Sequence, residues 1–186
     1  MTHESALPEL EEPPVLSLGE FRLRPLRAGD AVAWSAYLSD PRVTRHTSWG
    51  STDLATIDSL VQRLRAEYAT RDSWRWAIAR DADDCLVGVC GFSTWSTVHH
   101  AAELVYDLSP DYWSRGIVTR SVQAALEWSF FNARLNRVQA VVLPSNAPSI
   151  AVLNRCAFTK EGMLRQYRMV RGEPQDFLLY SRLRSE

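Results

Sequence analysis

Between an apolar run at residues 101–108 and the helical pattern that follows, the chain reads Ser109-Pro110-Asp111-Tyr112-Trp113-Ser114-Arg115-Gly116-Ile117-Val118-Thr119. A strand that enters a turn and then opens a helix presents unpaired N–H groups and a partial positive charge. That combination binds an anion such as a pyrophosphate. Gly116 has no Cβ to hold a ligand off the backbone, and Arg115 can add a charge-assisted contact. An ordinary strand-to-helix turn with one glycine has the same signature, so spacing alone leaves the ligand open. A second segment, Asn146-Ala147-Pro148-Ser149, has a good capping residue and a proline suited to a first helical turn. Read alone, it predicts a capped helix. Cys85, Cys90 and Cys156 have no metal-ligand spacing and read as buried reduced thiols. Cys85 and Cys90 fall on one apparent strand and point to opposite faces, which argues against a shared metal.

The elements that must position these residues follow from periodicity. Residues 21–26 alternate and read as a strand ended by Pro25. Asp30 is the expected N-cap of a helix over residues 31–38, which Asp40-Pro41 stops. Thr52 or Asp53 caps a longer helix with Leu54, Ile57, Leu60, Val61 and Leu64 on one face. Strands are predicted over residues 74–79, 85–92 and 101–108, the middle one apolar on both faces. A helix over 118–131, a strand over 137–143, a short helix from Asn146 to near Cys156 and two final strands over 162–170 and 175–183 complete the chain. The order is one strand, two helices, three strands, helix, strand, helix, two strands, an α/β mixture.

The chain has 186 residues and a formal net charge of -1. That length suits one domain, placed at residues 19–186, behind a Pro- and Glu-rich arm or strap over 1–18 that is expected to be mobile. The near-balanced charge provides no field for nucleic acid. The absence of a long apolar run or a leader-like start predicts a cytoplasmic protein with no membrane contact. Monomer and homodimer are both compatible with the sequence.

These segments together resemble the GNAT superfamily of acetyl-CoA-dependent N-acetyltransferases. The family's first motif, Gln/Arg-x-x-Gly-x-Gly/Ala before a helix, matches Trp113-Ser114-Arg115-Gly116-Ile117-Val118, with Trp as in the RimJ/RimL-like branch and Val118 in place of a small residue. The second, Asn-x-x-Ser followed by Gly-Phe, matches Asn146, Ser149 and Ala157-Phe158. The tail residues Glu161-Gly162, Arg171-Gly172-Glu173, Asp176 and Tyr180 also match, so the resemblance spans roughly residues 20–184.

The resemblance implies a mixed, mostly antiparallel sheet of about seven strands flanked by about four helices, with one splayed strand pair holding acetyl-CoA. It places backbone groups of Val105, Tyr106, Asp107 and Leu108 against the pantetheine arm. Ser114, Arg115, Gly116, Ile117, Val118 and Thr119 would wrap the pyrophosphate, with Asn146, Ser149 and Arg155 as further cofactor contacts. The helical pair over 31–38 and 54–68 would wall the acceptor groove. Transfer is direct, from the thioester to a primary amine on a protein N-terminus, such as a ribosomal protein's, or on a small molecule. No metal is implied. The tyrosine that many family members use as acid is replaced by Leu153, so Ser149 is the expected acid, with Glu103 or Glu161 as base. Trp49 and Trp95 fall in loops where an acceptor would pass. The rival reading is a GNAT-fold module that binds CoA or a partner without efficient transfer.

Overall fold

The computed structural model of the chain describes residues 12–48, 50–70 and 72–186. Its strands are β1 (Leu16–Ser17), β2 (Phe21–Pro25), β3 (Trp74–Arg80), β4 (Leu86–Ser96), β5 (Ala101–Leu108), β6 (Arg137–Val142), β7 (Thr159–Val170) and β8 (Glu173–Leu183). Its helices are α1 (Asp30–Leu38), α2 (Pro41–Thr44), α3 (Leu54–Thr70), α4 (Ile117–Phe131) and α5 (Ala147–Arg155). They build one open sheet in the order β1-β2-β3-β4-β5-β6-β8-β7. Every pairing is antiparallel except β5 with β6.

The sheet has two apolar faces because its central strands carry large residues on both. Trp74, Trp76, Ile78 and Phe92 pack with Val122, Ala125 and Trp128 of α4. Trp128 stacks on Trp74 at 5.6 Å and meets Trp76 edge-on at 5.2 Å. On the other face Ala77 and Val89 pack with Trp34 and Leu38 of α1 and Ile57, Val61 and Leu64 of α3. Burying each such large side chain contributes about 1.5–3 kcal/mol. Trp95 belongs to this aromatic cluster, 5.4 Å from Phe92 and 6.0 Å from Trp74, so its ring serves the core rather than a loop. Trp49 lies outside the described residues.

The structure departs from the sequence expectations at several element ends. Pro41 does not merely stop α1. It occupies the first turn of α2, which Asp40 caps by accepting from the Arg42 N–H. Asp30 is the first residue of α1 rather than its cap, and its carboxylate takes Arg24 in a buried ion pair at 2.8 and 2.9 Å. Arg24 also pairs with Asp84 at 2.7 Å, so the Asp30 carboxylate serves a buried charge network rather than a cap of α1. Strand β4 begins at Leu86, so Cys85 precedes it and is exposed, whereas Cys90 and Cys156 are buried. Within the N-terminal arm, Leu16–Ser17 pairs with β2, and the Trp76 indole N–H donates to the Pro14 carbonyl at 2.7 Å. The arm's first eleven residues lie outside the described residues. No described helix is long and apolar enough to cross a membrane.

The feature that positions the site is a divergence of strands. β5 pairs with β6 only at Ala101↔Arg137, Ala102↔Val138 and Glu103↔Gln139. Beyond that point β5 stays with β4 as far as Leu108↔Gly88, while β6 stays with β8 as far as Val142↔Leu178. Gly88 permits the close approach of β5, since a Cβ there would lie 2.6 Å from the Asp107 carbonyl oxygen. Backbone groups facing the opening are left without a ladder partner and must be satisfied by something else.

Candidate active site

The divergence opens a cleft of about 450 Å³. Leu104, Val105, Tyr106 and Asp107 of β5 form one side, and Ala140, Val141, Val142 and Leu143 form the other. Asn146, Ser149 and Leu153 of α5 close one end. Leu60 and Arg63 of α3, the preceding loop with His46 and Gly50, and Arg75, Ser93 and Arg168 complete the lining. A bulge in β4 between Phe92 and Thr94 leaves Ser93 facing the cleft. The α3 helix thus lines the cleft through Leu60 and Arg63, and α1 touches its lining through the bond of Tyr37 to Asp107.

At the α5 end the Asn146 side chain accepts from the Ser149 N–H at 3.2 Å, which caps the helix. The Ser149 hydroxyl is 2.6 Å from the Tyr106 hydroxyl. Burial pushes the Tyr106 phenol up, against the pull of its bond to Ser149, so it holds its proton. The resemblance assigns Tyr106 a backbone role. The structure adds its side chain and puts a tyrosine hydroxyl at Ser149, from β5 rather than from α5. Leu153, where the helix lacks its tyrosine, is fully buried in the core.

On the opposite face of β5 the Asp107 carboxylate accepts from the Tyr37 hydroxyl of α1. Burial pushes its pKa up to about 6, opposed by the Tyr37 bond and the Arg75 charge. A carboxyl near neutrality in a cleft is suited to proton transfer. The sequence signal was available, because Asp107 is an acid in an otherwise apolar strand end.

The two expected bases are differently placed. Glu103 is buried at the closed end of the split, where Arg168 donates to it at 2.7 Å and Gln139 at 3.4 Å. Glu161 is not among the cleft residues. Its carboxylate takes both Arg137 nitrogens, at 2.7 and 2.5 Å, and the Ser181 hydroxyl at 2.7 Å. The Arg137 bond, then the Ser181 bond, hold its pKa at about 2. A carboxylate so committed is a weak proton acceptor at neutral pH. His99 and His100 sit in the exposed turn before β5.

The turn into α4 lies beside the cleft and outside its lining. Trp113 anchors it, its indole N–H donating to the Leu108 carbonyl at 2.8 Å. Ser114 and Gly116 both adopt left-handed conformations, at φ 59 and 69. No side chain caps the first N–H groups of α4, at Ile117, Val118 and Thr119. Arg115 points away from these amides, over the rings of Tyr112 at 5.5 Å and Phe21 at 6.0 Å. The cation over the turn is Arg120, whose guanidinium donates to the Arg115 carbonyl at 3.3 Å. Its spacing of four from the N-cap Gly116 places it one turn into α4, above the turn. Cys156, at the end of α5, donates to the Thr119 carbonyl of α4 at 3.7 Å, and the neighbouring Arg155 is exposed.

The acetyltransferase (GNAT) domain family matches residues 20–159. The uncharacterized N-acetyltransferase p20 of Bacillus licheniformis is 33% identical over 165 residues, which cover 88% of this chain and 93% of that protein. Mycobacterium smegmatis RimJ, solved in complex with CoA-disulfide, is 29% identical with a TM-score of 0.78, over 88% of this chain and 81% of that one. The ribosomal-protein-S5-alanine acetyltransferase of Vibrio fischeri shares the fold, with a TM-score of 0.84 at 21% identity over 94% and 98% of the two chains.

Proposed function

This chain belongs to the GNAT acetyltransferase family, and from that premise we propose that it moves acetyl from acetyl-CoA directly to a primary amine in the splayed cleft. The observation that carries this reading is the split of β5 from β6 with proton-handling groups on its two sides. Asp107 lies toward α1 and α3, and the Tyr106–Ser149 hydroxyl pair lies toward α5. The pantetheine arm occupies the gap as a substitute strand, its amides meeting the unpaired backbone of residues 105–108. The pyrophosphate rests on the amides of Ile117, Val118 and Thr119, beside Gly116 and Arg120.

The amine nitrogen attacks the thioester carbonyl, and Asp107 takes the nitrogen's proton as the C–N bond forms and raises its acidity. Collapse of the tetrahedral intermediate breaks the C–S bond. The departing thiolate is hydrogen-bonded and then protonated through the Tyr106–Ser149 pair. The acceptor is a protein N-terminus, such as a ribosomal protein's, or a small molecule, met in the cytoplasm.

Thiol release from acetyl-CoA across a panel of peptides, amino acids and polyamines tests the reading. Acceptor-dependent release supports it. Tight CoA binding without release across the panel would favour a binding module, a reading to which Leu153 and the bulky Val118 lend weight. The hydroxyl pair makes a second, separable prediction. Ser149→Ala alone should lower kcat less than about tenfold, because Tyr106 remains. Adding Tyr106→Phe should lower kcat by about 100-fold, the lower range for a positioned proton donor. A double variant as active as the wild type would remove the pair from the mechanism.

A further inference from the structure

We infer that the acceptor carries an anionic group, a carboxylate or a phosphate, close to its reacting amine, and that the Arg75 guanidinium binds this group. The inference rests on the transferase reading and names the substrate class of the same cleft.

Arg75 lies on β3 and lines the cleft on the face that α1 and α3 cover. Its Nε is buried and has no hydrogen-bond partner. Among the described residues it makes no ion pair, although three other charged cleft groups surround it. Each of those is already engaged. Arg63 of α3 faces Glu67 at 3.5 Å, Arg168 of β7 holds Glu103 at 2.7 Å, and Asp107 accepts from Tyr37. His46, near Ser145 at 3.4 Å, adds no negative charge. Arg63 and Arg168 are thus offset by Glu67 and Glu103, which leaves Arg75 as the cleft guanidinium with no hydrogen-bonded carboxylate among the described residues. Asp107 and Glu67 act on Arg75 only through space, so its buried Nε stays unsatisfied, and an incoming anion that accepts from it relieves that cost. The planar donor fork matches a carboxylate or phosphate in a bidentate contact. Asp107 and Arg75 sense each other electrostatically. An amine directed to Asp107 thus brings a neighbouring anion to Arg75. A polyamine brings no anion to Arg75.

Matched acceptors test this. O-phosphoethanolamine is compared with ethanolamine, β-alanine with its amide, and short peptides carrying Asp at the second position with those carrying Asn. The peptide arm separates a peptide N-terminus from a free small molecule as the source of the anion. The charged member of at least one pair should show kcat/KM about tenfold or more above its neutral partner. Arg75→Gln should bring that charged-to-neutral ratio to about one, whatever it does to both rates through Asp107, and Arg75→Lys should keep part of it. Equal rates within every pair for the wild type, or a preference that persists in Arg75→Gln, would overturn the inference. Should Arg75→Gln fail to fold, the salt dependence of the wild-type preference decides: loss at about 1 M salt supports it and persistence overturns it. If no acceptor in any pair is acetylated, the transferase reading fails, and calorimetric binding of the same pairs to wild type and Arg75→Lys then decides the inference by the same charged-to-neutral ratio.

Discussion

Substituting Asp107 by Asn is expected to lower kcat/KM for acetyl transfer by about 100- to 10,000-fold, the range a positioned proton acceptor contributes, with acetyl-CoA affinity unchanged. Asn is nearly isosteric and still accepts from the Tyr37 hydroxyl, so the contact between β5 and α1 survives. What disappears is the ability to take a proton. The pH profile carries the second signature. With a pKa of about 6, Asp107 is ionised above that value, so wild-type kcat/KM falls as pH drops through about 6. The variant should lack this acid limb.

Stability should move the opposite way. The folded pKa lies above that of an unfolded aspartate, about 3.9, so the fold disfavours the ionised form. That cost is fully present above about pH 6 and is relieved as pH falls toward 4. At pH 8, Asp107→Asn should therefore raise unfolding stability by roughly 1 to 3 kcal/mol, measured by denaturant titration. A less active but more stable variant marks a group held for function. Glu103→Gln is the competing experiment. If it removes the acid limb and Asp107→Asn does not, the base is the carboxylate beside Arg168.

Much of this architecture was legible because local patterns and tertiary packing agree. The bounds of β5 match the apolar run at residues 101–108, and Asn146 caps α5 as its residue type implies. The heptad-like spacing of Ile57, Val61 and Leu64 faces the core, while Leu54, at the first turn, is exposed. The losses occur where a long-range partner outweighs a local preference. Asp30 was read as a cap because its buried partner, Arg24, sits on another element. The resemblance implies Arg115 as a phosphate contact, whereas its guanidinium lies over the ring faces of Phe21 and Tyr112, of which Phe21 is far outside the motif in sequence. Glu161 was read as a base because its neighbours Arg137 and Ser181 come from strands that only the sheet order brings beside it. Tyr106 and Asp107 were named for their backbone, but strand alternation sends their side chains to the two faces of the split. Which face holds α1 and which holds α5 is a property of the topology, and it is what separates a candidate base from a candidate acid.

Gly116→Val should raise both Kd and KM for acetyl-CoA by about 100-fold while leaving kcat at saturation within about threefold, the pattern of lost uniform binding. Gly116 has φ +69, a conformation that costs an L-residue about 1–2 kcal/mol. Relaxing that strain rotates the peptide that leads into α4 and misdirects the N–H groups of Ile117, Val118 and Thr119. Loss of one or two charge-assisted hydrogen bonds, at about 1.5–3 kcal/mol each, accounts for the factor. The methyl groups also project toward Arg120, whose Nη1 would lie 3.4 Å from the new Cβ. Arg120→Ala should therefore weaken binding by about tenfold, more than Arg115→Ala, because Arg115 stacks on Tyr112 and Phe21 instead. S-acetylpantetheine provides the control, since it fills the β5–β6 gap and has no pyrophosphate. Its KM should be nearly the same for wild type and Gly116→Val. If the substitution impairs both donors equally, the damage lies in the cleft or the fold, and the turn before α4 is not the pyrophosphate site.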